Sequence, residues 1–316
     1  MPKENAPEIS VDRFFRTDLA CESGTPDTER DPPPGISLRE YRRGELTVTR
    51  LRIENAEGKE HFKKEIGSYV TVKTGNVLYL KESTKASLVT LLASELKRMA
   101  GELTGLPITQ GFHVLVAGLG NSRMTADALG PLTHRAILAT RHLQGSDDPI
   151  VKELAEDYAT VSAISPGVLA DTGIEALELL RATAETIHPD LILAVDALAA
   201  RDCERLASTV QITDTGVRPG SGVGNRRAAL SRETLGVPVI AVGVPTVVDS
   251  SSLVLDALEQ AGIQRHEIGT ELLAVLENGT SFFVSPKEID TLTEAFAEIL
   301  GDAICMAFSV DFHRSV

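Results

Sequence analysis

The chain has 316 residues, a formal net charge of −14, no Trp and 4% aromatic residues. That length buries a sizeable core, whereas the acidic balance disfavours a phosphate-tracking surface and the scarcity of aromatics disfavours a stacking platform for nucleic acid. Three cysteines, Cys21, Cys203 and Cys305, odd in number and far apart, argue against a disulfide framework or structural zinc and fit a reducing, cytoplasmic compartment; the opening MPKENAPEIS lacks an apolar targeting run, and no apolar stretch is long enough for a membrane span.

Residues 1–45 read as an irregular head, with the run Pro32-Pro33-Pro34-Gly35 and few periodic apolar positions apart from the island VDRFFRTDLAC at 11–21. LTVTRLRI (46–53) and SYVTVKT (68–74) alternate as strands do, and 85–103 carries apolar residues at helical spacing. HVLVAGLG (113–120) is a buried strand ending in glycines, followed by a helix expected over 127–142. VSAIS (161–165), LILAV (191–195), TVQIT (209–213) and VPVIAVGV (237–244) are further strands; helices are expected at 174–187, 251–261, 267–276 and 287–308, with a strand at 281–284. This alternation predicts an α/β fold: a doubly wound, mostly parallel sheet with helices on both faces, in a single domain.

Such sheets bind ligands at the carboxyl ends of their strands. Two strand ends carry an acid. In VAGLGNSRMTADALGP (116–131), Gly118 and Gly120 permit a tight turn and Asp127 lies near the next helix; in LAVDALAAR (193–201), Asp196 directly follows the apolar run. Either acid could instead serve as a helix cap. GLGNSR is not a dinucleotide fingerprint, because Arg123 replaces the third glycine; Ser221 has Pro219 rather than Gly two residues before it, so no nucleophile elbow forms; HEIGTE (266–271) lacks the second His of a zinc-peptidase motif. The glycine-rich PGSGVGNRR (219–227), with Gly220 and Gly222, reads as a substrate or anion loop or as a wide turn.

The segments RTDLA (16–20), GLGNSRMTADALGP (118–131), TRHL (140–143), ISPGVLADTGIE (164–175), VDALAAR (195–201), PGSGVGNRR (219–227), ETLGVPVIAVGVPTVVD (233–249) and VSPKEID (284–290) occur in an order that resembles the germination protease family. The core pattern is also similar to that of hydrogenase-maturation endopeptidases, which grip a metal with acids after the same two strands. The resemblance implies an endopeptidase of the forespore and spore core that degrades small acid-soluble, DNA-protecting spore proteins, with Asp127 and Asp196 as an atypical aspartic pair, no cofactor and a homotetrameric assembly. It also implies a zymogen that cuts itself between Asp18 and Leu19, because Asp-Leu-Ala matches the acidic–aliphatic–Ala pattern of the family's substrates. Residues 1–18 would then be a propeptide, and 19–316 the peptidase domain with an irregular arm over about 19–45. Mild acid is expected to favour that cut by loosening charge-held contacts of the head. Main-chain amides at Gly118 and Gly120, or around Gly220 and Gly222, are candidate oxyanion donors. A metal-dependent peptidase and a non-catalytic binding protein on the same fold stay open as alternatives.

Overall fold

The computed structural model describes residues 17–23, 34–221, 227–263, 267–278 and 282–310, without the side chains of 153, 154, 277 and 278. The amino-terminal third is an antiparallel flank. Strand β1 (Ile36–Arg43) pairs with β2 (Leu46–Ile53), Asn55 caps α1 (Ala56–Phe62) by accepting the Gly58 N–H, and β3 (Gly67–Lys73) pairs back on β2. β1 falls inside the arm expected to be irregular. It buries only Ile36 and otherwise alternates Arg, Glu and Tyr at the sheet margin, so it lacks the apolar signature of an interior strand, as charged edge strands do. The long helix α2 (Glu82–Thr104) follows and ends at Gly105 in the left-handed conformation.

The remainder winds as α/β. In chain order it runs β4 (His113–Gly118), α3 (Leu129–Ala136), α4 (Pro149–Glu156), β5 (Thr160–Ile164), α5 (Leu169–Thr172), α6 (Ala176–Ile187), β6 (Leu191–Ala200), β7 (Thr209–Thr213), α7 (Arg232–Leu235), β8 (Val239–Asp249), α8 (Ser250–Gln260), α9 (Thr270–Asn278), β9 (Phe283–Val284) and α10 (Ile289–Ala307). Two elements differ from expectation. The helix after β4 stops at Ala136, because buried Thr140 ties the chain to β5, its hydroxyl donating to Ala159 O and accepting the Val161 N–H. β6 continues through Ala197-Leu198-Ala199-Ala200, residues of high helix propensity, because β8 pairs with every one of them and the last three are buried. Asp196 therefore lies within a strand and not at its end, and no helix follows it.

The sheet order is β1-β2-β3-β7-β8-β6-β4-β5, with β9 on the far end of β8. β8, β6, β4 and β5 are mutually parallel; the β1-β2-β3-β7 flank joins β8 in antiparallel fashion. Alternate strand residues face opposite sides. Val114, Val116, Leu193 and Val195 pack under α2, α3 and α10, whereas Leu115, Ala117, Ile192 and Ala194 pack against α6 and α7. Each fully buried Leu, Ile or Val contributes roughly 1.5–3 kcal/mol, which explains why these strands are almost uninterrupted apolar runs. After β4 the chain goes to β5 on one side, then crosses to β6 on the other. The carboxyl ends of β4 and β6 are thus the point where the winding reverses and their loops part.

Candidate active site

Asp127 and Asp196 meet at that reversal. Gly118 of β4 is opposite Val195 of β6, and Leu119 N–H donates to Val195 O at 2.8 Å, so the next β6 residue, Asp196, sits beneath the loop leaving β4. Asp196 is only 5% exposed, and its Oδ1 accepts the Ala197 N–H at 3.0 Å. Burial pushes its carboxyl well above the usual carboxylate range, and the charges of Asp127 and Asp18 push it the same way, against the Ala197 N–H and the Arg227 guanidinium.

Asp127 ends a short 3-10 turn, Thr125–Asp127, and is more open to solvent. Its Oδ2 accepts the Asn121 N–H at 2.9 Å; burial raises its pKa, opposed by that hydrogen bond and by Arg227. The loop that presents it depends on glycine. Gly120 has φ +112°, and a Cβ there would lie 2.1 Å from Asp127 O. A Cβ on Gly118 would lie 2.3 Å from Gly130 O, so that glycine lets α3 close onto β4. From β8, the Thr246 hydroxyl donates to Ala126 O at 2.6 Å and pins the turn from the other side.

The head reaches the same cleft. β6 runs on past the end of its pairing with β4, and there Ala199 is taken by Asp18: Asp18 N–H donates to Ala199 O, and Ala199 N–H donates to Asp18 Oδ2, both at 2.9 Å. The other carboxylate oxygen, Oδ1, accepts the Ser221 hydroxyl at 2.7 Å. Leu19 is fully buried against Leu198 and Ala200, and Ala20 is fully buried among Ile36, Leu51, Ile53, Phe62 and Tyr69. Glu22 accepts the Arg201 and Asp202 N–H groups at 2.9 and 3.1 Å and the Thr17 hydroxyl. The start of the arm, expected to be irregular, is anchored into the fold.

The cleft has a volume of about 1040 Å³, and Asp18, Lys64, Asp196, Gln211 and Ser221 are among its walls. It lies at the upper end of the common range for ligand pockets, roughly 300–1,000 Å³. Gly220 has φ +69° in the turn before Ser221, while Gly222 lies outside the described residues. Two residues at this site carry no motif that singles them out: Lys64 and Gln211. Ser221 and Arg227 lie in the glycine-rich run 219–227, read from the sequence as a substrate or anion loop or a wide turn. Among the described residues, no group of three His, Cys, Asp or Glu side chains gathers. No described helix is long and apolar enough to cross a membrane.

The family model described as germination protease matches residues 17–272. The germination protease of Clostridium tetani is 36% identical over 321 aligned residues, covering 92% of this chain and 94% of that protein. That of Caldanaerobacter subterraneus subsp. tengcongensis is 37% identical, covering 93% and 94%. That of Bacillus cereus is 40% identical, covering 77% of this chain and 66% of the relative. A solved NiFe hydrogenase maturation protease from Thermococcus kodakarensis is similar over 61% of this chain and 92% of its own, with a TM-score of 0.32 and 18% identity. With a family model over most of its length and full-length relatives above one-third identity, the chain belongs to the germination protease family.

Proposed function

We propose that this protease is an endopeptidase that degrades small acid-soluble, DNA-protecting spore proteins in the forespore and spore core. In this reading it works as a homotetramer and is made as a zymogen that cuts itself between Asp18 and Leu19. The observation that carries the reading is the setting of Asp18-Leu19-Ala20: Asp18 lines the cleft with Asp196, and Leu19 and Ala20 are buried behind it. An acidic side chain is held by Ala199 N–H and Ser221 Oγ, an aliphatic one is buried against β6, and an alanine is buried on the antiparallel flank. A substrate segment of acidic–aliphatic–Ala character would meet the same three environments, the small volume left for Ala20 selecting the third position.

The chemistry follows from the unequal surroundings of the two acids. Two neighbouring carboxyls share a proton rather than both ionise. Asp196 is the more buried and feels the Asp127 charge, so it keeps the proton. Asp127 is more open, receives the Asn121 N–H and faces Arg227, so it is the ionised partner and the base for water. Water adds to the carbonyl carbon as Asp127 takes its proton; Asp196 then protonates the departing amine. One water is consumed, and one carboxyl and one amine are released.

The test is incubation of the purified full-length chain at mildly acid pH, with the new amino terminus sequenced, and separately with small acid-soluble spore protein. A start at Leu19 and cleavage of the spore protein after an acidic residue are expected, both unaffected by exhaustive chelation. Activity that vanishes on chelation and returns with a divalent ion would replace the carboxyl pair with a metal-dependent mechanism. Stable, uncut chain that is already fully active would overturn self-processing.

A further inference from the structure

The carbonyl oxygen of Asp18 accepts two side-chain hydrogen bonds. Lys64 Nζ and Gln211 Nε2 each donate to it at 3.0 Å, from different elements. Lys64 follows Lys63, which caps α1 in the left-handed conformation with φ 53° and turns the chain towards the head. Its ammonium also donates to Thr17 O at 2.9 Å. Gln211 stands in β7 between Thr71 of β3 and Gly243 of β8, and is 5% exposed. Its amide orientation is fixed at both ends: Oε1 accepts the Ala20 N–H at 2.6 Å, which leaves Nε2 to face the Asp18 carbonyl. Of the glycine turns, the Leu119 N–H between Gly118 and Gly120 is already spent on Val195 O.

We infer that Lys64 and Gln211 are the oxyanion donors of the hydrolysis, with the carbonyl of the substrate's acidic residue seated where Asp18 O lies. The assignment rests on the reading that Asp18–Leu19 marks the position of the bond to be cut. When water adds to the carbonyl carbon, the C=O π pair moves onto the oxygen, and that charge forms between an ammonium and an amide N–H already in place. When the C–N bond breaks, its electron pair goes to the Leu19 nitrogen, which takes the Asp196 proton, and the carbonyl reforms. The two acids are then free to serve water and amine, and neither is required to protonate the carbonyl. Burial lowers the Lys64 pKa, with Asp18 and Glu22 opposing, so a new negative charge beside this ammonium relieves the cost of keeping it dry. Gln211 does a second task, registering the residue two positions after the acid through its N–H.

The experiment uses the full-length chain and follows release of the head by mass spectrometry in single turnover, with protection of residues 18–22 against hydrogen exchange as the measure of docking. Lys64→Met is expected to slow release about 10²–10³-fold, the usual loss for one oxyanion donor, with the head still docked. Lys64→Arg should recover part of that loss. Gln211→Glu gives a sharper signature. Ionised, the carboxylate offers no donor and repels the oxyanion; protonated, it offers one O–H to the carbonyl and one oxygen to the Ala20 N–H, as the amide does. Release by this variant should therefore recover as pH falls, relative to wild type. If wild type releases the head, Asp127→Asn does not, and Lys64→Met releases it within threefold of wild type, the donor assignment fails while the proteolytic reading stands. If wild type never cuts at Asp18–Leu19, the reading and the donor assignment fall together. Gln211→Glu with wild-type rate at every pH would overturn the role of Gln211 alone.

Discussion

In the parallel half, β5-β4-β6-β8, the inner strands are buried on both faces, and two acids meet at the point where the winding reverses. In the antiparallel flank, β1-β2-β3-β7, strands with one charged margin contribute no acid pair. They contribute instead a lysine and a glutamine to the Asp18 carbonyl and the pocket that buries Ala20. The acids thus belong to one half alone, whereas the peptide is held by both: β6 takes Asp18 and Leu19, and the flank takes the Asp18 carbonyl and Ala20. Substitutions in the two halves should then fail in different ways, and that difference is measurable.

The largest effect is expected at the acids. Asp127→Asn and Asp196→Asn should each lower proteolysis by at least about 10³-fold, since neither amide can shuttle the proton of the pair. The fold should persist. Asp196→Asn even relieves a buried carboxyl whose pKa burial holds well above the usual range, so its thermal midpoint should not fall. Near-wild-type turnover in either variant, with normal circular dichroism, would remove the acids from the mechanism. Next comes the turn that presents Asp127. Gly120→Ala forces a side chain onto φ +112° and against Asp127 O, a strain of about 1–3 kcal/mol before any clash is counted. Loss of activity of at least tenfold together with a lowered thermal midpoint is expected. An unchanged crystal structure of that turn with alanine in place would show that the glycine is not needed.

The two halves also differ in how far the sequence reveals them. β4, β6 and β8 stand out because burial on both faces leaves runs such as Leu191 to Val195 with no polar residue. The acids stand out because a charge next to such a run is costly without a task. The flank is less legible. β1 reads as a charged coil, because an edge strand needs few apolar residues. Lys64 and Gln211 lie 147 positions apart in sequence and belong to no motif; only pairing of β3 with β7 brings their surroundings together. The extension of β6 beyond Asp196 is hidden for another reason: Ala-Leu-Ala-Ala is as good a helix as a strand until β8 lies beside it. The docking of the head is legible in chemistry, as Asp-Leu-Ala, but its anchorage by Ala199 and Glu22 is tertiary throughout.

A substitution away from the cleft should show the reverse pattern, lost stability with retained chemistry. Glu95 on α2 is 2% exposed and is paired with Arg50 of β2 and, at 3.0 Å, with Arg98. Glu95→Leu would leave two guanidinium groups without that partner. Both are about one-third exposed, so water takes over part of the loss, and a cost of about 1–3 kcal/mol is expected rather than the larger value for a sealed pair. Denaturant unfolding measures it. Turnover per folded molecule should stay within about twofold; a selective collapse of turnover at unchanged stability would mean that α2 reaches the chemistry.

The smallest effect concerns pH and the head, and its sign opposes the expectation that acid loosens it. Glu22 is buried beneath the head, and burial raises its pKa, against the Thr17 hydroxyl, the Arg201 and Asp202 N–H groups and Arg205. A raised folded-state pKa means that the docked head holds the Glu22 proton more tightly than the undocked head does. The stabilisation is fully present below the ordinary glutamate range, about pH 4.5, and is lost as pH rises through the raised value. Docking should therefore be firmest in mild acid. Lys64 acts with the opposite sign, since its lowered pKa favours docking of the neutral form at higher pH. Hydrogen exchange of residues 18–22, corrected for the intrinsic pH dependence of exchange, should show protection declining a few-fold between pH 5 and pH 8. Glu22→Gln should flatten that decline and leave the Lys64 contribution. If mild acid speeds self-processing equally in wild type and in Glu22→Gln, the acceleration comes from the proton shared by Asp127 and Asp196. If it is lost in Glu22→Gln, acid works through the seating of the head, and docking itself is the step that pH controls.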